Sequence, residues 1–183
     1  MKIRLANPLQ VDSIVDGEGL RAVLWTQGCS HKCPGCHNPN THPFKGGYLE
    51  DIDNIFKEID SFEIQSGITF SGGDPMFQVD ACLEIAKYAR SKGLNVWVYT
   101  GYTFEELLVI SKSNNKYLEF LKNIDVLIDG KFELENKDLS LKFRGSTNQR
   151  ILNVRRSLRL GRASRIIKYD VKKEKIKKDY IFV

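Results

Sequence analysis

The sequence predicts an α/β fold, a parallel sheet whose strands are joined by helical crossovers. Two observations carry this reading. Short β-prone runs alternate with amphipathic stretches along most of the chain. Polar, glycine-bearing segments follow the strands, and parallel α/β folds build their sites at the strand C-terminal ends.

The elements follow in order. Arg21-Ala22-Val23-Leu24-Trp25-Thr26 is β-prone and runs into a cysteine-bearing loop. Residues 49–62 read as a helix because Ile52, Ile55, Phe56 and Ile59 recur at helical spacing. Ile68-Thr69-Phe70 is a short strand ending in Ser71-Gly72-Gly73-Asp74-Pro75. Residues 77–92 form a helix stopped by Gly93. Residues 94–99 form a strand ending at Thr100-Gly101-Tyr102. Thr103 caps the next helix, and Glu105 and Glu106 favour its positive dipole end. Residues 124–128 form a strand ending at Asp129-Gly130-Lys131. Residues 166–169 and 180–183 read as further strands. Four polar segments thus gather on one sheet edge: the cysteine loop, Gly72-Gly73-Asp74, Thr100-Gly101 and Asp129-Gly130-Lys131.

The chain has 183 residues, enough for one domain with a real core. No apolar run approaches the ~20 residues of a membrane span, and Met1-Lys2-Ile3-Arg4-Leu5 leads into polar sequence without a signal-peptide core. A cytoplasmic protein is expected. The net charge of +5 is uneven. From about residue 155 a basic C-terminal extension carries eleven Lys/Arg against three Asp/Glu, and the rest of the chain is slightly acidic. A basic tail suits nucleic acid, an acidic partner surface or a solvated face. It lacks the interleaved aromatics of a single-strand platform, so nucleic acid is disfavoured.

Three of four cysteines stand in Gly28-Cys29-Ser30-His31-Lys32-Cys33-Pro34-Gly35-Cys36-His37, a C-x3-C-x2-C spacing. A disulfide framework would spread them along the chain. Three thiolates on one short loop can converge on a soft metal centre. Structural zinc would take His31, His37 or His42 as a fourth ligand. A ferredoxin-type cluster would need a fourth nearby cysteine. A four-iron cluster held by these three alone leaves one iron open to a small molecule. Cys82 falls on the apolar stripe of a helix with Val79, Leu83 and Ala86 and reads as a core residue.

Other motifs are weaker. Gly17-Glu18-Gly19-Leu20-Arg21-Ala22 matches a dinucleotide fingerprint in letters, but it precedes a strand where the fingerprint must follow one. The two glycines of Ser71-Gly72-Gly73-Asp74-Pro75 let backbone approach a ligand, and Asp74 can accept from a ligand ammonium. A tight strand-to-helix turn is the plainer reading of the same residues. Asp129 and Lys131 could hold a ligand or be a surface ion pair.

Together these motifs resemble the radical S-adenosylmethionine (SAM) superfamily, and within it the activating proteins of anaerobic ribonucleoside-triphosphate reductases. The carrying residues run in family order: Asp16-Gly17-Glu18-Gly19-Leu20-Arg21, the cysteine loop, Ser71-Gly72-Gly73-Asp74-Pro75, Trp97-Val98-Tyr99-Thr100-Gly101-Tyr102, Asp129-Gly130-Lys131-Phe132 and Arg144-Gly145-Ser146-Thr147-Asn148-Gln149. The resemblance implies a single radical SAM domain over residues 1–183, built as an incomplete β/α barrel with outer helices, because eight βα units take ~250 residues. It implies that Cys29, Cys33 and Cys36 ligate a [4Fe-4S] cluster and that SAM chelates the open iron. Reductive cleavage of SAM would yield a 5′-deoxyadenosyl radical that takes a hydrogen atom from a backbone glycine of the reductase large subunit. Gly72, Gly73 and Asp74 would meet the methionyl amino group. Gly35, Cys36 and His37 would lie against SAM beside the cluster, and Thr100, Asp129 and Lys131 would line the far side of SAM. The segment 144–149 is assigned to partner docking or site closure. Such clusters reach about −400 mV or below, so a one-electron donor such as flavodoxin or ferredoxin is implied. The alternatives are activation of another glycyl-radical enzyme, action on a small molecule, or a non-enzymatic zinc or iron–sulfur protein.

Overall fold

The structure of the protein, a computed structural model, describes residues 1–170. Eight strands form one sheet: β1 (Lys2–Leu5), β2 (Gln10–Ser13), β3 (Arg21–Thr26), β4 (Tyr48–Asp51), β5 (Gly67–Gly72), β6 (Asn95–Tyr99), β7 (Val126–Asp129) and β8 (Arg150–Asn153). Five helices accompany them: α1 (Ile52–Asp60), α2 (Val79–Ser91), α3 (Phe104–Ser111), α4 (Lys116–Lys122) and α5 (Val154–Leu160). The sheet order is β4-β1-β3-β5-β6-β7-β8, with β2 also on β3. The centre, β3-β5-β6-β7, is parallel, and the flanking pairs are antiparallel. Among the described residues β4 and β8 do not meet, so the sheet stays open.

Strand alternation sorts the residues between two faces. Ala22, Leu24, Ile68, Phe70, Val96, Val98 and Leu127 point to one face and pack with residues from all five helices. Trp97, Val126, Ile128 and Ile151 point to the other, where Tyr99, Phe143, Ile166 and Tyr169 join them. No α-helix contributes to that second cluster among the described residues. Helices on one face and a recess on the other make an open α/β sheet with the expected parallel centre and outer helices.

The central elements form where their residues predict. The α1 apolar stripe buries Ile52, Ile55 and Ile59, and Asp51 caps it by accepting from the Asp53 N–H. The Thr103 hydroxyl of α3 accepts from the Glu106 N–H while the Glu106 carboxylate accepts from the Thr103 N–H, a reciprocal capping box. Thr103→Ala is expected to cost about 1 kcal/mol, measured as a shift of the urea unfolding midpoint.

The margins differ from the sequence reading. Residues 49–51 belong to edge strand β4, in register with β1, and the helix starts only at Ile52. The strand expected over 124–128 starts at Val126, because Ile124 closes the turn after α4. Residues 166–169 are not a strand. A single bridge joins Arg165 to Leu152, and a 3-10 turn covers Ile167–Tyr169. Lys168 and the Tyr169 hydroxyl there both donate to the Glu18 carboxylate. The strand read over 180–183 lies outside the described residues. Among the described residues no helix is long and apolar enough to cross a membrane.

At the N-terminal ends of the strands, Arg21 is 1% exposed and binds the sheet together. Its Nε donates to Thr69 Oγ1 at 2.6 Å, and its Nη2 donates to the carbonyls of Ile68 (2.7 Å) and Asn95 (2.9 Å). Nη1 donates to the Glu18 carbonyl, and the guanidinium stacks 5.2 Å from the centre of the Trp97 ring.

Candidate active site

The C-terminal ends of β3, β5, β6 and β7 lie side by side, so the segments leaving them share one edge. A cavity of about 430 Å³ opens there on the helix-free side, within the ~300–1,000 Å³ range of small-molecule sites. Cys29, Cys33 and Cys36 line it from one side and Gly72, Gly73 and Thr100 from the other strand ends.

The cysteine loop is anchored by backbone. The N–H groups of Gly28 and Cys29 donate to the carbonyls of Thr41 (2.8 Å) and His42 (3.0 Å), and the Asp74 N–H donates to the Gly28 carbonyl (2.9 Å). Loop and Gly-Gly turn therefore touch. A Cβ on Gly73 would lie 2.4 Å from the Gly28 oxygen, and Gly72 has φ +99°. Only glycines fit this junction. Gly73→Ala is expected to destabilise the protein by about 2–3 kcal/mol, read by thermal unfolding.

Burial raises the pKa of the Cys29 and Cys33 thiols. Backbone N–H groups of His31 and Lys32 at Cys29, and of Phe132 at Cys33, pull the other way by favouring the thiolates. Any metal taken up by these thiols would have to displace their protons, so loading and deprotonation would be one event. The Asn38 N–H points at Cys36 Sγ at 3.4 Å. Tyr99, deep in the wall, is held neutral because burial raises its pKa far above the usual range.

The expected site residues divide. Cys29, Cys33, Cys36, His37, Gly72, Gly73, Asp74 and Thr100 all border the cavity. The His37 ring leans on Phe132 at 5.0 Å. Gly35 makes the turn between Cys33 and Cys36, with φ +71°, and stays off the wall. Asp129 and Lys131 depart from the expectation. The Asp129 carboxylate is fully buried on the helical side, where it accepts from the Phe104 N–H at 2.7 Å and from Arg150. Strand parity causes this, since Asp129 follows Leu127 onto the helix-covered face. The Lys131 side chain is exposed, and among the described residues its carbonyl is held by Asn148. Asp74 borders the cavity but is 1% exposed, with its carboxylate occupied by protein donors.

Several wall residues were not singled out as ligands in the sequence: Asp16, Trp25, Tyr99, Phe132, Phe143 and Arg144. Trp25 and Tyr99 were findable, because they point inward near their strand ends. Gln149 accepts from the Gly145 and Ser146 N–H groups and donates to the Gly130 carbonyl, which folds segment 144–149 over the end of β7. That places Arg144 on the wall with its side chain 5% exposed, one nitrogen held by Asp170 at 2.7 Å. Its Nε–H is buried and has no acceptor among the described residues.

The three thiols border one shared recess, and the chemistry of the donor set suits a soft metal centre with a polar ligand beside it. His31, a candidate fourth ligand for zinc, commits Nε2 to Asp74. The glycine cradle and the acceptor-free Arg144 Nε–H add the kind of surface a polar ligand needs.

Comparison with known proteins shows the family. The family described as "4Fe-4S single cluster domain" matches residues 15–152. The chain is 37% identical over 150 residues to the anaerobic ribonucleoside-triphosphate reductase-activating proteins of Salmonella typhi and Escherichia coli K12, covering 78% of this chain and 94% of each relative. The protein of that name from phage T4 is 38% identical over 145 residues, covering 75% of this chain and 86% of its own. Among solved structures, QueE from Escherichia coli overlaps 56% of this chain and 54% of its own, with a TM-score of 0.49 and 13% identity.

Proposed function

The chain belongs to the anaerobic ribonucleoside-triphosphate reductase-activating proteins, and from that premise we propose how its cavity serves the activation of such a reductase by a glycyl radical. It is a radical SAM oxidoreductase with a [4Fe-4S] cluster and SAM as cofactors. The single observation that carries this is three thiols and a backbone-lined Gly-Gly turn facing one cavity at the strand C-terminal edge. Cys29, Cys33 and Cys36 hold the cluster. The backbone of Gly72 and Gly73 holds the methionyl end of SAM, with His37 and Thr100 beside it. When bound, the two cofactors supply one-electron cleavage of a sulfonium and, through it, hydrogen-atom abstraction from a backbone glycine.

The protein positions and shields. Trp25, Tyr99, Phe132 and Phe143 give the wall apolar surface that keeps water from reactive carbon. The Arg144 Nε–H offers a charge-assisted donor to a carboxylate or ribose oxygen. The open sheet leaves room at the cavity mouth for a loop of the reductase large subunit, and a flavodoxin- or ferredoxin-type donor supplies the electron. Residues 1–183 act as one domain, working in the cytoplasm.

The test is anaerobic. The reconstituted, reduced protein with SAM and its reductase is expected to yield 5′-deoxyadenosine and a glycyl-radical signal by electron paramagnetic resonance. A colourless, zinc-loaded protein inert toward SAM would sink the proposal.

A further inference from the structure

The Asp74 carboxylate is the most heavily bonded polar group at the cavity. Its Oδ1 accepts from the Met76 N–H at 3.0 Å. Its Oδ2 accepts from three donors, each at 2.9 Å: the Thr100 hydroxyl, the Gly101 N–H and His31 Nε2. A carboxylate offers about four acceptor sites, and this one is 1% exposed. It has little left for a ligand ammonium. Three of the donors come from the β6 end and the strand-to-helix turn, which the fold places there anyway. The fourth comes from the middle of the cysteine loop.

His31 is built into that position. It stands between Cys29 and Cys33 with its side chain 8% exposed. Its ring meets the Tyr102 edge at 4.7 Å and Phe77 at 5.8 Å. A Cβ on Gly101 would lie 2.5 Å from the ring, so the imidazole rests directly on backbone. A carboxylate can only accept, so Nε2 carries the hydrogen and donates.

We propose that His31 is a positioning residue: through Nε2 it latches the cysteine loop to Asp74, fixing the iron-holding side of the cavity against the Gly72-Gly73 side that receives SAM. This rests on the reading of the three cysteines as cluster ligands. Asp74 is then the socket of the latch, and the SAM amino group is met by backbone. The loop keeps its backbone anchors at Gly28 and Cys29 without the latch, so iron still binds, but the two halves of the site lose their register. One charge-assisted hydrogen bond corresponds to about tenfold or more in affinity.

Two substitutions separate the bond from the ring. His31→Phe keeps an aromatic against Tyr102 and Phe77 and removes the donor. His31→Gln removes the ring and returns an N–H near Nε2. Both are expected to load iron as wild type does. His31→Phe should weaken SAM binding at least about tenfold and diminish the change that SAM causes in the paramagnetic resonance spectrum of the reduced cluster. His31→Gln should restore most of both. Asp74→Asn should also weaken binding, and combining it with His31→Phe should add little, as for two ends of one contact. Wild-type SAM affinity and spectrum in His31→Phe would overturn the latch. So would equal loss in Phe and Gln variants that carry full iron. Failure of the wild type itself to load iron would instead overturn the functional reading beneath it.

Discussion

Cys33→Ala is expected to abolish SAM cleavage while leaving the protein folded. The reconstituted variant should lose its brown colour and most of its iron, and 5′-deoxyadenosine should fall to background. Three thiolates are the full ligand set the loop offers, so removing one leaves the cluster without a protein anchor at that iron. The fold does not depend on it. The loop is tied down by Gly28 to Thr41, Cys29 to His42 and Asp74 to Gly28, all through backbone. Urea unfolding of the cluster-free variant should therefore match that of cluster-free wild type within about 0.5 kcal/mol. Cys82→Ala is the control. Cys82 is fully buried among the helices, and burial raises its thiol pKa far above the ordinary range. It should retain iron and activity and lose only a little stability. A structural zinc site predicts the reverse pattern, because its metal contributes folding free energy outright.

Arg21→Met should be the most destabilising single change, by about 3–5 kcal/mol. The guanidinium is 1% exposed and serves Thr69 Oγ1 and the carbonyls of Ile68, Asn95 and Glu18. Methionine fills much of the volume but satisfies none of these acceptors, and each buried one left without a donor costs about 1–3 kcal/mol. The acceptors belong to β5, β6 and the turn before β3, so the loss falls on the centre of the parallel sheet. Burial lowers the Arg21 pKa to about 10, still well above neutrality, so the residue works as a cation throughout the useful range. Arg21→Lys should recover only part of the loss, since an ammonium cannot reproduce a planar fork of five donors. With a urea m-value of about 2 kcal/mol/M, the midpoint should fall by roughly 1.5–2.5 M for Arg21→Met. A shift under 0.5 M would refute this account.

The parallel centre was legible because each strand there is a β-prone run closed by a polar turn, and each crossover helix has a visible stripe or cap. The antiparallel margins were not. β1, β2, β4 and β8 are four residues long, too short for alternation to stand out, and their pairing depends on partners distant in sequence. α4 and α5 are seven residues each and gave no usable period. Cysteines and glycines announced themselves through spacing and through backbone demands that only glycine meets. Asp129 misled because a carboxylate at a strand end looks like a ligand, and its facing is decided by parity and by Arg150 arriving from β8. Arg144 and the Asp74 latch could not be read in advance, since each depends on contacts across tens of residues.

The one-sided helical cover divides selection along single strands. In β5, Ile68 and Phe70 answer to packing, while Thr69 and Ser71, which alternate with them, face the recess. Most folding free energy is drawn from the first set and most chemistry from the second. A lineage can therefore alter the open recess positions at less cost to stability than the helix-covered ones, except where Trp97, Val126, Ile128 and Ile151 pack into a cluster of their own. Arg21 is a further exception: on the recess side it is as constrained as any core residue. Substitutions on the recess side should accordingly be borne worst next to that buried cation and within the Trp97 cluster.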